Sequence, residues 1–101
     1  MKFKVQTSPD RASLSINGAL TFADHTEFKG VIEQIIEPQP KEIEVDLSQV
    51  EIVDSAGLSL FLILRDRAKK YGGSVTLKRP PQHVARMLNV VAFDALFTIQ
   101  N

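Results

Sequence analysis

Ser55 is the residue of this chain best placed to do chemistry. Its hydroxyl sits in the stretch Ile52-Val53-Asp54-Ser55-Ala56-Gly57-Leu58, between a β-type run and the most apolar segment of the sequence. Three roles are open to it. A helix start leaves backbone N–H groups unpaired and carries partial positive charge, so the hydroxyl is suited to an N-cap. A nucleophile would need a base, and only His25 and His83 are available. The Gly-x-Ser-x-Gly elbow is absent and neither histidine has an evident orienting partner in sequence, so hydrolysis is not expected. As a phosphoacceptor Ser55 would gain about −1.5 to −2 charges, which a helix start tolerates. Asp54 is adjacent, Asp46 and Asp24 are expected to approach from strand and loop ends, and Arg65 and Arg67 lie more than two helical turns along. A phosphate would then add repulsion and bulk to a binding face, which is the physics of a release switch. Capping and phosphorylation are compatible.

The elements that must position this hydroxyl follow from periodicity. Phe3 and Val5, then Leu14 and Ile16, alternate with polar residues, and Pro9-Asp10 marks the turn of an N-terminal hairpin ending near Asn17-Gly18. Phe28, Val31, Ile32 and Ile35 form one stripe of an amphipathic helix, with Asp24 and Glu27 spaced as a capping box and Pro38 and Pro40 ending the segment. Ile43, Val45 and Leu47 alternate as a third strand leading to Ser55. A second helix is expected from Ala56 to Tyr71, stopped by Gly72-Gly73. Val75 and Leu77 make a fourth strand, and Pro80-Pro81 opens a third helix with Val84, Met87, Leu88 and Val91 as its stripe. Phe97-Thr98-Ile99 closes with a short strand. The order β-β-α-β-α-β-α-β predicts an α/β domain with a mixed sheet and crossover helices.

On the second helix, Leu60, Phe61, Leu64, Ala68, Tyr71 and Gly57 share the face directed to the core. Ser59, Leu62, Asp66, Lys69 and Lys70 fall on the opposite side. Leu62 is therefore expected to be exposed and, with Leu58 on the flank, to make a small apolar patch beside Ser55. Gly57, lacking a side chain, would let a partner approach the helix start closely.

Whole-chain totals narrow the function classes. A chain of 101 residues, 44% hydrophobic and 24% charged, is expected to form one domain, residues 1–101, around a single core. Twelve basic and twelve acidic residues cancel, so no global field steers the protein to nucleic acid or anionic lipid. The absence of cysteine excludes disulfides, thiolate metal sites and cysteine catalysis. The histidines form no spaced ligand pair, so no metal is expected. No stretch has the length of a membrane span and the start lacks the apolar core of a signal peptide, giving a cytoplasmic expectation without membrane insertion.

Val45-Asp46-Leu47-Ser48, Val53-Asp54-Ser55-Ala56-Gly57-Leu58, the following amphipathic helix with Gly72-Gly73, Met87-Leu88-Asn89 and Leu96-Phe97-Thr98-Ile99 also carry a resemblance. Over nearly the whole chain they resemble the bacterial STAS domain, most of all the stand-alone anti-sigma factor antagonists. The resemblance implies a STAS fold: an α/β mixed sheet of four to five strands with crossover helices packed on it. It implies an unphosphorylated form that binds an anti-sigma factor or switch protein kinase, so freeing a transcription factor. A kinase phosphorylates the serine after the aspartate, here Ser55, and breaks the complex, and a PP2C-type phosphatase restores it. Thr21, Asp24, Asp54, Gly57, Leu58, Ser59 and Leu62 then become candidates for the partner surface. The implied protein is a monomer or weak dimer, a kinase substrate without catalysis or cofactor of its own.

Two features depart from that pattern. Thr21 stands after Gly18-Ala19-Leu20 where many members carry aspartate, and the sequence stops at Asn101, where several relatives continue into a terminal helix. The rival implied role is that of a STAS accessory subunit docked on the ATPase of a lipid transporter, which Asp46-Leu47-Ser48 and Ala68-Lys69-Lys70 also resemble. A threonine commonly stands at the Ser55 position there, so Ser55 and the Phe93–Ile99 segment favour the antagonist.

Overall fold

A computed structural model describes all 101 residues. The strands are β1 (Lys2–Ser8), β2 (Arg11–Leu20), β3 (Glu42–Val53), β4 (Ser74–Lys78) and β5 (Thr98–Gln100), and the helices are α1 (His25–Ile36), α2 (Ser55–Lys69) and α3 (Gln82–Val90). Short 3₁₀ turns at Phe22–Asp24 and Phe93–Ala95 precede α1 and β5. The five strands lie in the sheet in chain order, β1 antiparallel to β2 and every later neighbour parallel. This is the mixed sheet the sequence predicts.

Parallel neighbours in chain order, each joined by one helix, place the crossovers on one face of the sheet when all share the usual right hand. The side chains follow. Leu14 and Ile16 of β2, Val45 and Leu47 of β3 and Leu77 of β4 are buried in one cluster of 25 residues with the stripes of the three helices. The alternate residues, including Ser13, Ser15, Glu44 and Lys78, stay on the polar side. Phe28 of α1 meets Phe61 of α2 edge-on, with ring centroids 6.1 Å apart, at the centre of the helical layer. Arg67 of α2 also reaches both carboxylate oxygens of Glu33 on α1.

The structure refines three local readings. The third strand runs past Leu47 to Val53, leading to Ser55 as expected, but its register with β2 slips twice, between Ser15 and Asn17 and between Gly18 and Ala19. Gly18, at φ +92°, supplies backbone that L residues rarely adopt at the second irregularity. The burial sequence in β3 therefore changes from every second residue to Leu47, Val50 and Val53, and Ile52 is turned outward. Helix α2 starts one residue earlier and stops two earlier than Ala56–Tyr71, with Gly73 N–H on the Ala68 carbonyl closing it. Asp24 makes no capping box with Glu27, because its carboxylate turns back to Thr21.

Candidate functional site at the start of the second helix

Strands β2 and β3 end side by side, with Leu20 opposite Val53, and the chain then turns into α2. Asp54 holds extended backbone (φ −104°, ψ −179°) and donates its N–H to the Leu20 carbonyl at 3.3 Å. Its carbonyl accepts the first helical bond from Leu58 N–H at 3.0 Å. One carboxylate oxygen accepts Gly57 N–H at 2.7 Å and the other accepts Phe22 N–H at 3.2 Å. Asp54 is thus the N-cap of α2, and it also ties the helix to the corner after β2.

That arrangement moves Ser55 from the cap to the first helical position. Ser55 is exposed, and the side-chain hydrogen bond that involves it is the one from Ser59 Oγ to its carbonyl, 3.0 Å. Its own hydroxyl is left to solvent. Neither histidine serves it: His83 Nε2 lies 2.6 Å from the Glu51 carbonyl, and His25 packs edge-on against Phe22. Asp46 is held elsewhere, accepting Ser48 N–H at 2.9 Å and pairing with Arg79. Burial pushes the Asp46 carboxyl upward, but the Ser48 and Arg79 bonds outweigh it and leave it below its ordinary value.

The corner before α1 is built from a second carboxylate. Asp24 accepts the Thr21 N–H at 2.9 Å and the Thr21 hydroxyl at 3.3 Å, and its other oxygen lies 3.2 Å from the amino group of Met1. The Thr21 backbone bond is the main reason its carboxyl sits below the ordinary range, with the Met1 amino group adding to it against some burial. Thr21 and Phe22 therefore hand successive N–H groups to Asp24 and Asp54. Asp24 thus brings a carboxylate to Thr21.

Three of the residues expected on the partner surface lie elsewhere. Gly57 is buried, and a Cβ there would stand 2.2 Å from the Leu20 carbonyl oxygen. Its lack of a side chain serves the close approach of α2 to β2, not of a partner. Leu58 is 5% exposed and belongs to the core. Leu62 is half-buried and packs against the core, so it is no exposed patch. Thr21, Asp24, Asp54 and Ser59 remain at least partly accessible.

The apolar surface near Ser55 comes instead from Phe22, Ile52 and Val90, which helical periodicity does not mark, together with Val91, which it assigns to the α3 stripe. Phe22 is 65%, Ile52 59% and Val90 84% exposed, with Val91 also outside the core. Ser55, the edge of Leu58, Arg86, Met87, Val90 and Val91 line one open groove of about 310 Å³ between α2 and α3. Val91, expected in the buried stripe of α3, lies just past the end of that helix at Val90 and is 44% exposed, so the stripe that is buried reduces to Val84 and Leu88.

A protein-family model described as "Mlab, STAS domain" matches residues 3–99. A STAS-domain containing protein of Pseudomonas aeruginosa is 29% identical over 87 residues, 86% of this chain and 85% of that protein. Among solved structures, a candidate anti-sigma factor antagonist of Thermotoga maritima is similar with TM-score 0.86 at 24% identity, over 98% of this chain and 86% of the other. The Bacillus anti-sigma factor antagonist SpoIIAA is similar in its unphosphorylated form (TM-score 0.78, 15% identity) and its phosphorylated form (0.76, 14%). These cover 99% of this chain and 88% and 92% of the respective SpoIIAA chains. At such identities the likeness establishes a shared fold.

Proposed function

This chain belongs to the STAS domain family, and we propose that it acts as an anti-sigma factor antagonist whose binding is switched by phosphate on Ser55. Unphosphorylated, it holds an anti-sigma factor or switch protein kinase through the surface around the start of α2. The kinase transfers the γ-phosphoryl group of ATP to Ser55 Oγ: the new O–P bond forms as the bond to ADP breaks, and the hydroxyl proton passes to the kinase. The complex then separates, and a PP2C-type phosphatase hydrolyses the phosphoester to reset it.

The observation that carries this reading is the division of labour between Asp54 and Ser55. Asp54 caps the helix, so the Ser55 hydroxyl is exposed and free of structural bonds. Modification at Ser55 would therefore leave the cap intact, and the fold survives the switch. A structure of SpoIIAA, a protein of the same fold, exists in phosphorylated form. Thr21, Asp24, Asp54, Ser59, Phe22 and Ile52 are the accessible residues from which the partner surface is drawn.

The test is incubation with the cognate switch kinase and ATP, site mapping, and a binding assay on the partner. Ser55→Ala is expected to take up no phosphate and Ser55→Asp to lose partner binding. Undiminished phosphorylation of the first, or undiminished binding by the second, refutes the switch. A second reading, as an accessory subunit on a lipid transporter's ATPase, is favoured by one observation: the matching family carries the name Mlab, not that of the antagonists. Copurification of a transport ATPase instead of an anti-sigma factor would select it.

A further inference from the structure

We propose that Arg86 receives the phosphate carried by Ser55, pairing its guanidinium with the phosphoryl oxygens across the groove between α2 and α3. The inference rests on Ser55 being the phosphoacceptor and adds how the modified state is held. Ser55 and Arg86, more than thirty positions apart in sequence, line the same groove. Its other walls are Leu58, Met87, Val90 and Val91, none of them charged.

Arg86 is also uncommitted. Of the five arginines, Arg11 pairs with Glu42 and Glu44, Arg65 with Asp66, Arg67 with Glu33 and Arg79 with Asp46. Arg86 is exposed and takes part in no ion pair or side-chain hydrogen bond of the structure. Asp54, the carboxylate nearest Ser55 in sequence, already spends one oxygen on Gly57 N–H and the other on Phe22 N–H. A phosphate on Ser55 would thus bring a strong acceptor to the edge of a groove that is also lined by Arg86, whose guanidinium is unpaired and has a planar fork suited to phosphoryl oxygens.

This alters the physics of the switch. With Arg65 and Arg67 distant, repulsion and bulk were the expected means of release. With Arg86 in reach, the phosphate is partly neutralised and the arginine's own stem is drawn over the groove. The groove floor of Leu58, Met87, Val90 and Val91 is covered in the modified state and open in the unmodified one.

The experiment installs phosphoserine at position 55 during translation, without a kinase, and follows the phosphate's second ionisation by phosphorus NMR in the wild-type, Arg86→Gln and Arg86→Lys proteins. That ionisation lies at about pH 6 for an unperturbed phosphoserine. The wild type is expected to titrate about half a unit or more below Arg86→Gln, as an opposite charge at pairing distance requires. Arg86→Lys, which keeps the charge, is expected to titrate below Arg86→Gln as well. Melting curves of the unphosphorylated proteins are expected to coincide, because Arg86 is exposed and unpaired. Equal titration of wild type and Arg86→Gln overturns the proposal. Failure of the phosphoacceptor reading shows separately, as a lack of kinase-dependent incorporation at Ser55, and leaves this titration unchanged.

Discussion

At the residue scale, two neighbours with similar side chains do different work. Asp54 and Ser55 are both favourable N-caps by type. Which one caps depends on which residue keeps extended backbone, and that is Asp54, held by its N–H bond to Leu20. The expected consequence is a split between two substitutions. Asp54→Ala should destabilise the fold by about 1–2 kcal/mol, since it frees the Gly57 and Phe22 N–H groups together. Ser55→Ala should change stability by less than about 0.5 kcal/mol, because its hydroxyl holds nothing. Urea unfolding of the two variants measures both, and equal losses would return the capping role to Ser55. The polar cluster at the helix start was legible in the residues; the division within it was not, because a backbone angle set by the neighbouring strand decides it.

At the element scale, the corner between β2 and α2 governs how the site is held. Glycine inside an exposed helix normally costs about 0.5–1 kcal/mol relative to alanine, so Gly57→Ala would be stabilising on propensity alone. Here the added Cβ would stand 2.2 Å from a backbone oxygen of Leu20, far inside contact distance, and neither element yields as a flexible side chain would. The clash wins, and a net loss of about 1–3 kcal/mol is expected, read as a lower melting temperature. A neutral or stabilised Gly57→Ala would mean that α2 does not press on β2. Element order and the stripes of α1 and α2 were legible from their periods. The course of β3 beyond Leu47 was not, because two register slips against β2 break the alternation and turn Ile52 outward. Leu62 was misplaced for a related reason: helical angles give the side of α2 it occupies, not how far neighbouring elements reach around it.

At the scale of the whole molecule, the charges balance in number but are spent unevenly. Asp24, Glu33, Glu44 and Asp46 all hold their carboxyls below the ordinary values. The leading favourable causes are the Thr21 N–H for Asp24, Arg67 for Glu33, and Lys78 with help from Arg11 for Glu44; at Asp46 burial opposes and the Ser48 and Arg79 bonds prevail. A folded value below the unfolded one stabilises the fold fully above the unfolded value and loses that contribution as pH falls through the folded one. The melting temperature is therefore expected to be level from neutral pH to about 5 and to fall below about pH 4, where carboxylates protonate. A melting temperature that held or rose on acidification through that range would contradict these pairings. By itself the sequence determined the order of strands and helices, the one-sided core and the polar cluster at Ser55, because periods of two and 3.6 residues are local consequences of backbone geometry. Only the tertiary structure decided that Gly57 presses on Leu20, that Phe22 leans on Asp54 and that Arg86 lines a groove with Ser55. Those meetings depend on sheet register and on where each crossover helix comes to rest, which no short stretch of sequence specifies.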